Sequence, residues 1–345
     1  MKATTMIMLN SNSILSFWNS MSDGYSDGIT KRLLPVNAPL KIFSTYKYPE
    51  NLCGIAFSFI QSINVSVDSF KQMKELSVQL LLDNSFEGNK LLIIQLKTIK
   101  NKDVFACLCD NLIEAIQKVK TDKLAVKEVI NRLDKWKTLF EVGVSKGLTI
   151  AEQQGLYGEL VFLHKLLKQQ TLSLVEVLKT WVGPDKAMRD FQGNVWGVEV
   201  KTNSTDNASQ IVINGKRQLD ETLLNRLYLY VLSLEVSKMN GQTLNQKIDE
   251  LRNLFFSDRI ALNDFNMKLI EAGYYDCQSH FYDDRCYKQR TEKIYIIQGH
   301  FPRIIEQDLK PGINDISYSI NISSCDDYLV SDKELFSYII EVYHE

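Results

Sequence analysis

The sequence has few of the residues that build zinc and redox sites. Its six cysteines form no CxxC pair, and only four histidines are present, none of them spaced to share a metal with the cysteines. We therefore expect reduced thiols and no zinc site, which suits a cytoplasmic protein. There is also no apolar run long enough to cross a bilayer, and the start of the chain carries only a short apolar patch. We expect neither a membrane span nor a secretory signal.

Several signatures of familiar enzymes and DNA-binding folds are missing. There is no glycine-rich phosphate loop, so any coupled ATP hydrolysis would have to come from a separate protein. No turn or spacing singles out a serine, cysteine or histidine nucleophile, and no helix-turn-helix is evident. The formal net charge is −2, whereas proteins that bind duplex DNA by charge alone are usually more basic. Any contact with nucleic acid must therefore be local or shared with a partner subunit.

What remains is an ordinary globular composition, with 45% hydrophobic and 24% charged residues. A length of 345 residues predicts two domains. Residues 1–145 should form an N-terminal α+β domain for target recognition or partner docking, and residues 146–345 a second domain beyond a linker at 143–147. The predicted elements of the first domain are strands at 40–44, 54–59, 76–82 and 91–96 and helices at 104–120 and 122–140.

The second domain is predicted to be a mixed α/β sheet flanked by helices. Thr149 and Glu152 have capping-box spacing, so a helix should begin there and run to about Lys168. The continuous apolar run at 227–236 is typical of a central, buried strand. The other predicted elements are strands at 210–214, 294–298 and 316–322 and helices at 244–256, 258–272 and 333–343.

The most informative stretch is residues 189–201. Gly-Asn at 193–194 is a tight-turn signal between two apolar runs, which predicts a β-hairpin. If those two residues are the loop, Asp190 lies opposite Gly197. The glycine should then leave open space beside the polar groups of that face.

The face that carries Asp190 also carries Glu199 and Lys201, because side chains alternate along a strand. Two neighbouring carboxylates repel each other, and a hydrated Mg²⁺ relieves that repulsion better than a lysine does. Metal-dependent phosphodiester hydrolysis needs this arrangement: Asp190 and Glu199 hold the metal, and Lys201 orients or activates water. The Val200 carbonyl could be a third ligand. A set of surface salt bridges is the alternative interpretation.

Glu159 is a further candidate, because it lies on or beside the apolar stripe of the helix that begins near Thr149. A buried, ionised carboxylate costs several kcal/mol unless it is paired or bound to a metal. The alternative is a glutamate that reaches solvent or pairs with a surface arginine.

An ordered set of motifs resembles the PD-(D/E)xK nuclease superfamily and, within it, a bacterial family of PD-(D/E)xK motif proteins encoded near restriction–modification or phage-defence genes. The motifs are Asp190 with Glu199-Val200-Lys201-Thr202, Gly155-Leu156-Tyr157-Gly158-Glu159-Leu160, Trp181-Val182-Gly183-Pro184, Phe301-Pro302-Arg303-Ile304, and the stretch 312–318. The resemblance implies a restriction-endonuclease-like fold. It also implies that Glu159 reaches the metal or the lysine, and that Gln218 contacts the lysine or a phosphate. The alternative for Gln218 is a solvent-exposed residue at a helix start.

Some assignments stay open at this point. Pro184-Asp185 is the "PD" by name, but strand parity places Asp185 on the core side, so we favour Asp190; a bulge would change that parity. Residues that could contact phosphates, or could equally be solvated, are Lys186, Arg189, Lys216 and Arg217. The basic stretch Lys118–Lys137 could also contact duplex DNA, although such a run is more often a solvated helix face.

The sequence therefore favours a Mg²⁺-dependent DNA endonuclease, or nuclease subunit, of a restriction or phage-defence system, with Mn²⁺ as a possible substitute. A catalytically inactive nuclease-fold subunit that binds DNA or assembles a complex is the alternative, and a nuclease for RNA or damaged ends is a third. The expected partners are DNA and a methyltransferase or an ATPase/helicase subunit. A homodimer is left open.

Overall fold

The computed structural model describes residues 14–22, 27–142, 147–185, 187–204, 209–313 and 315–343. These residues fall into two compact units that divide between residues 145 and 146. The predicted linker at 143–147 lies outside the described residues except for Gly147, which has a positive φ of 81°. None of the helices in the described segments is long and apolar enough to cross a membrane.

The first unit contains an antiparallel five-stranded sheet. Its strands are β1 (Gly28–Leu33), β2 (Lys41–Tyr48), β3 (Leu52–Ile60), β4 (Leu76–Leu82) and β5 (Asn89–Leu96), in the order β1-β2-β3-β5-β4. Three helices accompany the sheet: α1 (Ile14–Met21), α2 (Lys102–Gln117) and α3 (Asp122–Val142). The four predicted strands and two predicted helices are confirmed, whereas α1 and β1 were not predicted from the sequence pattern.

The second unit is built on a six-stranded mixed sheet. The strands are β6 (Phe191–Gln192), β7 (Trp196–Ser204), β9 (Arg226–Ser237), β10 (Gln242–Thr243), β11 (Cys286–Ile297) and β13 (Leu329–Val330). Their order is β10-β11-β9-β7-β6, with β13 paired to β11. The pair β7–β9 is parallel, and the other pairs are antiparallel. A separate two-stranded sheet joins β8 (Gln210–Asn214) to β12 (Ser317–Asn321).

The central strand β9 is buried on both faces, as its continuous apolar run predicts. Tyr228 and Tyr230 face a core made with the helices, whereas Leu227 and Leu229 face a second core shared with the β8–β12 sheet. The helices of this unit are α4 (Ile150–Lys168), α5 (Leu174–Thr180), α6 (Leu244–Phe255), α7 (Arg259–Glu271) and α8 (Asp332–Tyr343). The unit is therefore a mixed α/β fold.

The start of α4 confirms the predicted capping box. The Thr149 hydroxyl accepts a hydrogen bond from the Glu152 N–H, and the Glu152 carboxylate accepts one from the Thr149 N–H. These bonds satisfy two backbone donors that would otherwise lack partners at the helix start. They set the residue at which α4 begins.

Candidate active site

The hairpin forms, but its turn lies one residue later than the sequence suggested. Phe191 pairs with Val198 and Gln192 with Gly197, so the loop is 194–195 and the expected pairing of Asp190 with Gly197 is wrong. The reason is the Trp196 indole, which packs against Gly193: a Cβ on that glycine would lie 2.3 Å from the indole Nε1. Gly193 is thus a paired residue whose N–H donates to the Trp196 carbonyl at 3.0 Å.

The observed pairing differs from the predicted one by two residues. A shift of two residues leaves each side chain on the face of the strand where it was predicted. Asp190 now comes alongside Glu199 instead of Gly197. Its Oδ2 accepts a hydrogen bond from the Val200 N–H at 2.7 Å, which ties the carboxylate to β7. Asp190 and Glu199 are therefore neighbours, as the shared face required.

Glu199 is the most deeply buried of the candidate residues, with 1% of its surface exposed. Its Oε1 lies 2.7 Å from the Lys201 ammonium. Its Oε2 is buried and has no hydrogen-bond partner among the described residues. A buried carboxylate oxygen without a partner is costly, so it marks a position where a cation or a donor would stabilise the protein.

The space beside Gly197 is filled, contrary to expectation. A Cβ at Gly197 would lie 2.8 Å from Cδ of Arg189 and 3.0 Å from Cδ1 of Leu224. Arg189 is itself buried, and its Nη2 donates to the carbonyl of Asp220. The glycine therefore admits a second cation to the strand face that carries Glu199.

Helix α4 delivers Glu159 to the hairpin because Gly158 lets the helix lie directly on β7. A Cβ on Gly158 would lie only 2.2 Å from Cγ2 of Thr202. The Glu159 Oε2 accepts a hydrogen bond from the Trp181 indole at 2.7 Å. Glu159 is half-buried, and its partner is this indole N–H instead of the surface arginine of the alternative interpretation.

Gly183 lies between two of the carboxylates. A Cβ on this residue would be 2.8 Å from Glu159 Oε2 and 3.1 Å from Asp190 Oδ1. The N–H groups of Val182 and Gly183 both donate to the Asp190 carbonyl, at 2.8 and 2.9 Å. The roles of Trp181 and Gly183 were not predicted from the sequence, although both belong to the Trp-Val-Gly-Pro motif.

Asp185 does not join this cluster. It ends a short 3₁₀ helix, Gly183–Asp185, and forms an ion pair at 2.9 Å with Lys268, which also donates to the Trp181 carbonyl at 2.5 Å. The expected core-facing position of Asp185 is wrong, because its side chain is 46% exposed. Of the two aspartates, Asp190 is the one beside Glu199.

Burial raises the pKa of all three carboxyl groups. For Glu199, burial and then the charge of Asp190 raise the pKa to about 8. Burial and the same aspartate raise the pKa of Glu159 well above its usual range, although the bond from Trp181 acts against the shift. Burial also raises the pKa of Asp190. Three acids crowded into low dielectric thus favour either shared protons or a bound cation.

Lys201 supplies the positive charge next to these acids. Burial alone would lower its pKa, but the carboxylates of Glu199, Asp190 and Glu159 outweigh burial and raise it. Its ammonium also donates to Oε1 of Gln218 at 3.3 Å. The same oxygen accepts the Asn214 N–H at 2.9 Å, so Gln218 links the end of β8 to the lysine.

The remaining basic candidates differ in their surroundings. Lys216 and Arg217 both face the carboxylate of Glu306, at 2.7 and 3.8 Å. Lys186 lies outside the described residues. Within the basic stretch, intrahelical ion pairs hold three of the cations: Lys118 with Glu114, Arg132 with Glu128, and Lys137 with Glu141.

The donor set suits a hard divalent cation better than zinc. Two carboxylates and a backbone carbonyl, completed by waters, are ligands that Mg²⁺ accepts. The Glu199 oxygen that has no hydrogen-bond partner in the described segments is an observation in favour of such an ion. Nevertheless, no group of three or more histidine, cysteine, aspartate or glutamate side chains in the described segments could hold a metal by itself.

The comparison with known proteins agrees with the motifs. No curated protein and no solved structure matches the chain. One family matches residues 14–323, and its description is "Putative PD-(D/E)XK family member, (DUF4420)". The match includes Glu159, Asp190, Glu199 and Lys201 and extends over both units. The chain therefore belongs to this PD-(D/E)XK family, as its motifs predicted.

Proposed function

We propose that the chain is a cytoplasmic, metal-dependent DNA endonuclease, or the nuclease subunit, of a restriction or phage-defence system. The observation that carries the proposal is that Asp190, Glu199 and Lys201 lie together on the hairpin. One Glu199 oxygen is buried there and has no hydrogen-bond partner among the described residues. The mixed sheet with α4 packed on β7 is consistent with a restriction-endonuclease-like fold for residues 146–345.

Asp190, Glu199 and the Val200 carbonyl would hold Mg²⁺, with Mn²⁺ as a substitute and Glu159 at the edge of the site. The ion, when bound, lowers the pKa of a water and stabilises charge on the phosphate. Lys201 would orient the attacking water or the scissile phosphate, because its ammonium lies 2.7 Å from Glu199. Gln218 would hold the lysine in place through its bond to the ammonium.

The test is cleavage of plasmid, phage and modified DNA by the full chain with Mg²⁺ or Mn²⁺, alone and with the products of neighbouring genes. Glu199→Gln and Lys201→Ala should each lower cleavage by about 10²-fold or more, because each removes charge from the reacting centre. Glu235→Gln is the matched control, since Glu235 lies in an ion pair with Arg290 that is not part of the site. Equal cleavage by all variants would contradict the proposal.

A second function has its own supporting observation. Asp190 is already bonded to the Val200 N–H and Glu199 to Lys201, so much of the cluster is satisfied without a metal. That arrangement would suit a nuclease-fold subunit that binds DNA or assembles a complex without cutting. DNA binding with no cleavage under every condition above would favour it. A neighbouring gene for a methyltransferase or helicase-like ATPase would support the defence role in either case.

A further inference from the structure

A cavity of about 950 Å³ lies on the side of the hairpin where Arg189 fills the space beside Gly197. Arg189 lines it, is only 7% exposed, and has an Nε without a hydrogen-bond partner in the described part of the chain. A buried guanidinium with an unused donor is costly unless an anion completes its contacts. The cavity therefore has a buried cation in its wall, and the same lining also includes the acidic residues Asp220 and Glu306.

This cavity is linked to the carboxylate site. A smaller cavity of about 290 Å³ shares Met188 and Arg217 with it and is also lined by Gln218. Gln218 is the residue whose amide oxygen accepts from Lys201. A ligand lying along the two cavities would thus pass from Arg189 towards the lysine of the proposed catalytic centre.

A single carboxylate holds the two other cations of this region. Glu306 lines the larger cavity and lies 2.7 Å from Lys216 and 3.8 Å from Arg217. The Arg217 and Glu306 side chains are 56% and 53% exposed, so their pairing contributes little to stability and can exchange for another anion. Glu306 thus occupies the position that a phosphate would take between the same two cations.

The rim of the cavity also offers apolar contacts. Leu223 is 89% exposed and Met188 is 50% exposed, and both line the cavity. Exposed apolar side chains beside a row of cations match a ligand that has anionic groups on one side and flat, apolar faces on the other. A nucleic acid strand has this pattern, because phosphates alternate with bases along it.

We propose that these joined cavities bind the phosphodiester backbone of a nucleic acid strand, and that Glu306 competes with the phosphates for Lys216 and Arg217. The inference rests on the proposed function for the identity of the ligand. Arg189 supplies a buried cation to the lining, and Glu306 keeps Lys216 and Arg217 occupied when no strand is bound. Removing the Glu306 charge should therefore tighten binding.

The experiment is equilibrium binding of labelled oligonucleotides to the full chain in EDTA, across a salt series. Without divalent metal no cleavage is needed, so the outcome is independent of whether the chain is an active nuclease. Glu306→Gln should tighten binding roughly threefold to tenfold at low salt, because the carboxylate that competes with the phosphates is removed. Glu235→Gln, which removes the same charge from an exposed pair outside the cavity, should change affinity less than twofold.

A second variant tests the cations themselves. The double variant Lys216→Gln, Arg217→Gln should weaken binding. The negative slope of log K against log salt should become less steep, by about 0.9 for each duplex phosphate that the protein no longer neutralises. The proposal is overturned if Glu306→Gln tightens binding no more than Glu235→Gln, or if the double variant leaves the salt slope unchanged. Comparing duplex DNA, single-stranded DNA and RNA of one sequence identifies which nucleic acid binds most tightly. Displacement of the bound oligonucleotide by inorganic phosphate alone, at equal phosphate concentration, would also contradict a site for the backbone.

Discussion

At the scale of single residues, the cluster is organised by groups that are not themselves acids. The Trp181 indole donates to Glu159, and Gly183 leaves room for the carboxylates of Glu159 and Asp190. Lys268 fixes the tryptophan from the other side by donating to its carbonyl at 2.5 Å. The acids can therefore keep their positions in spite of their mutual repulsion.

Trp181→Phe should cost about 1–3 kcal/mol of unfolding free energy beyond the loss of aromatic volume, because it leaves an oxygen of the half-buried Glu159 without its donor. Urea denaturation monitored by circular dichroism measures this cost. Trp196→Phe is the control, since Trp196 is similarly buried but its indole packs on the backbone of Gly193 instead of donating to Glu159. Equal costs for the two variants would show that the bond to Glu159 contributes nothing.

At the scale of elements, the site depends on the contact between α4 and β7. Gly158 allows the helix to approach until Thr202 lies where a side chain would be, and the next residue, Glu159, then reaches the hairpin. The strand supplies the carboxylate and the ammonium of the candidate site from positions 199 and 201, which lie on the same face. A small outward movement of α4 would separate Glu159 from Asp190.

Gly158→Ala should destabilise the protein by roughly 1–3 kcal/mol, because its Cβ would lie 2.2 Å from Cγ2 of Thr202. Gly155→Ala on the same helix should be neutral or stabilising by up to about 1 kcal/mol, since its Cβ would meet no atom of the described residues within 4 Å. Adding Thr202→Ser, which removes Cγ2, should recover most of the stability. Failure of this rescue, measured by thermal unfolding, would show that close packing at Gly158 is not the reason.

Sequence patterns predicted an element of the second unit where a local physical cause determines it. The buried run of β9 and the capping box of α4 were predictable, because burial on both faces and helix capping leave local signals. The hairpin turn was misplaced because Trp196 packs on Gly193, a contact that the turn signal does not contain. The sequence also did not predict that Arg189 occupies the space beside Gly197, and the reason is the same, because that contact depends on tertiary packing. Neither error changes the face of the strand on which a side chain lies, so Asp190 and Glu199 are still neighbours.

At the scale of the whole molecule, the acid cluster couples protonation to stability. A carboxyl group whose pKa is higher in the folded than in the unfolded state binds more protons when folded. Its contribution to stability is fully present below the unfolded pKa and is lost as pH rises through the folded pKa. For Glu199 that window extends from its ordinary value of 4.5 to about 8.

In EDTA, the unfolding free energy should therefore fall as pH rises from about 5 to about 8, by about 1.4 kcal/mol for each unit of pKa difference that is realised. Glu199→Gln should flatten this dependence, because the amide does not titrate. Urea denaturation at several pH values measures it, and Glu235→Gln provides the control. The raised pKa of Glu199 would be contradicted if the unfolding free energy of the wild type rose over this pH range. It would also be contradicted if the slope of unfolding free energy against pH were unchanged in Glu199→Gln.

The central claim is that Asp190 and Glu199 together hold one divalent cation. Isothermal titration of Mn²⁺ into the full chain, at a pH of about 8 that reaches the raised pKa of Glu199, tests it most directly. We expect one site per chain in the wild type and in Glu235→Gln, and at least about tenfold weaker binding in Asp190→Asn and in Glu199→Gln, because each variant removes a charged ligand. Binding of equal strength in all four proteins, or no binding by the wild type, would contradict the claim.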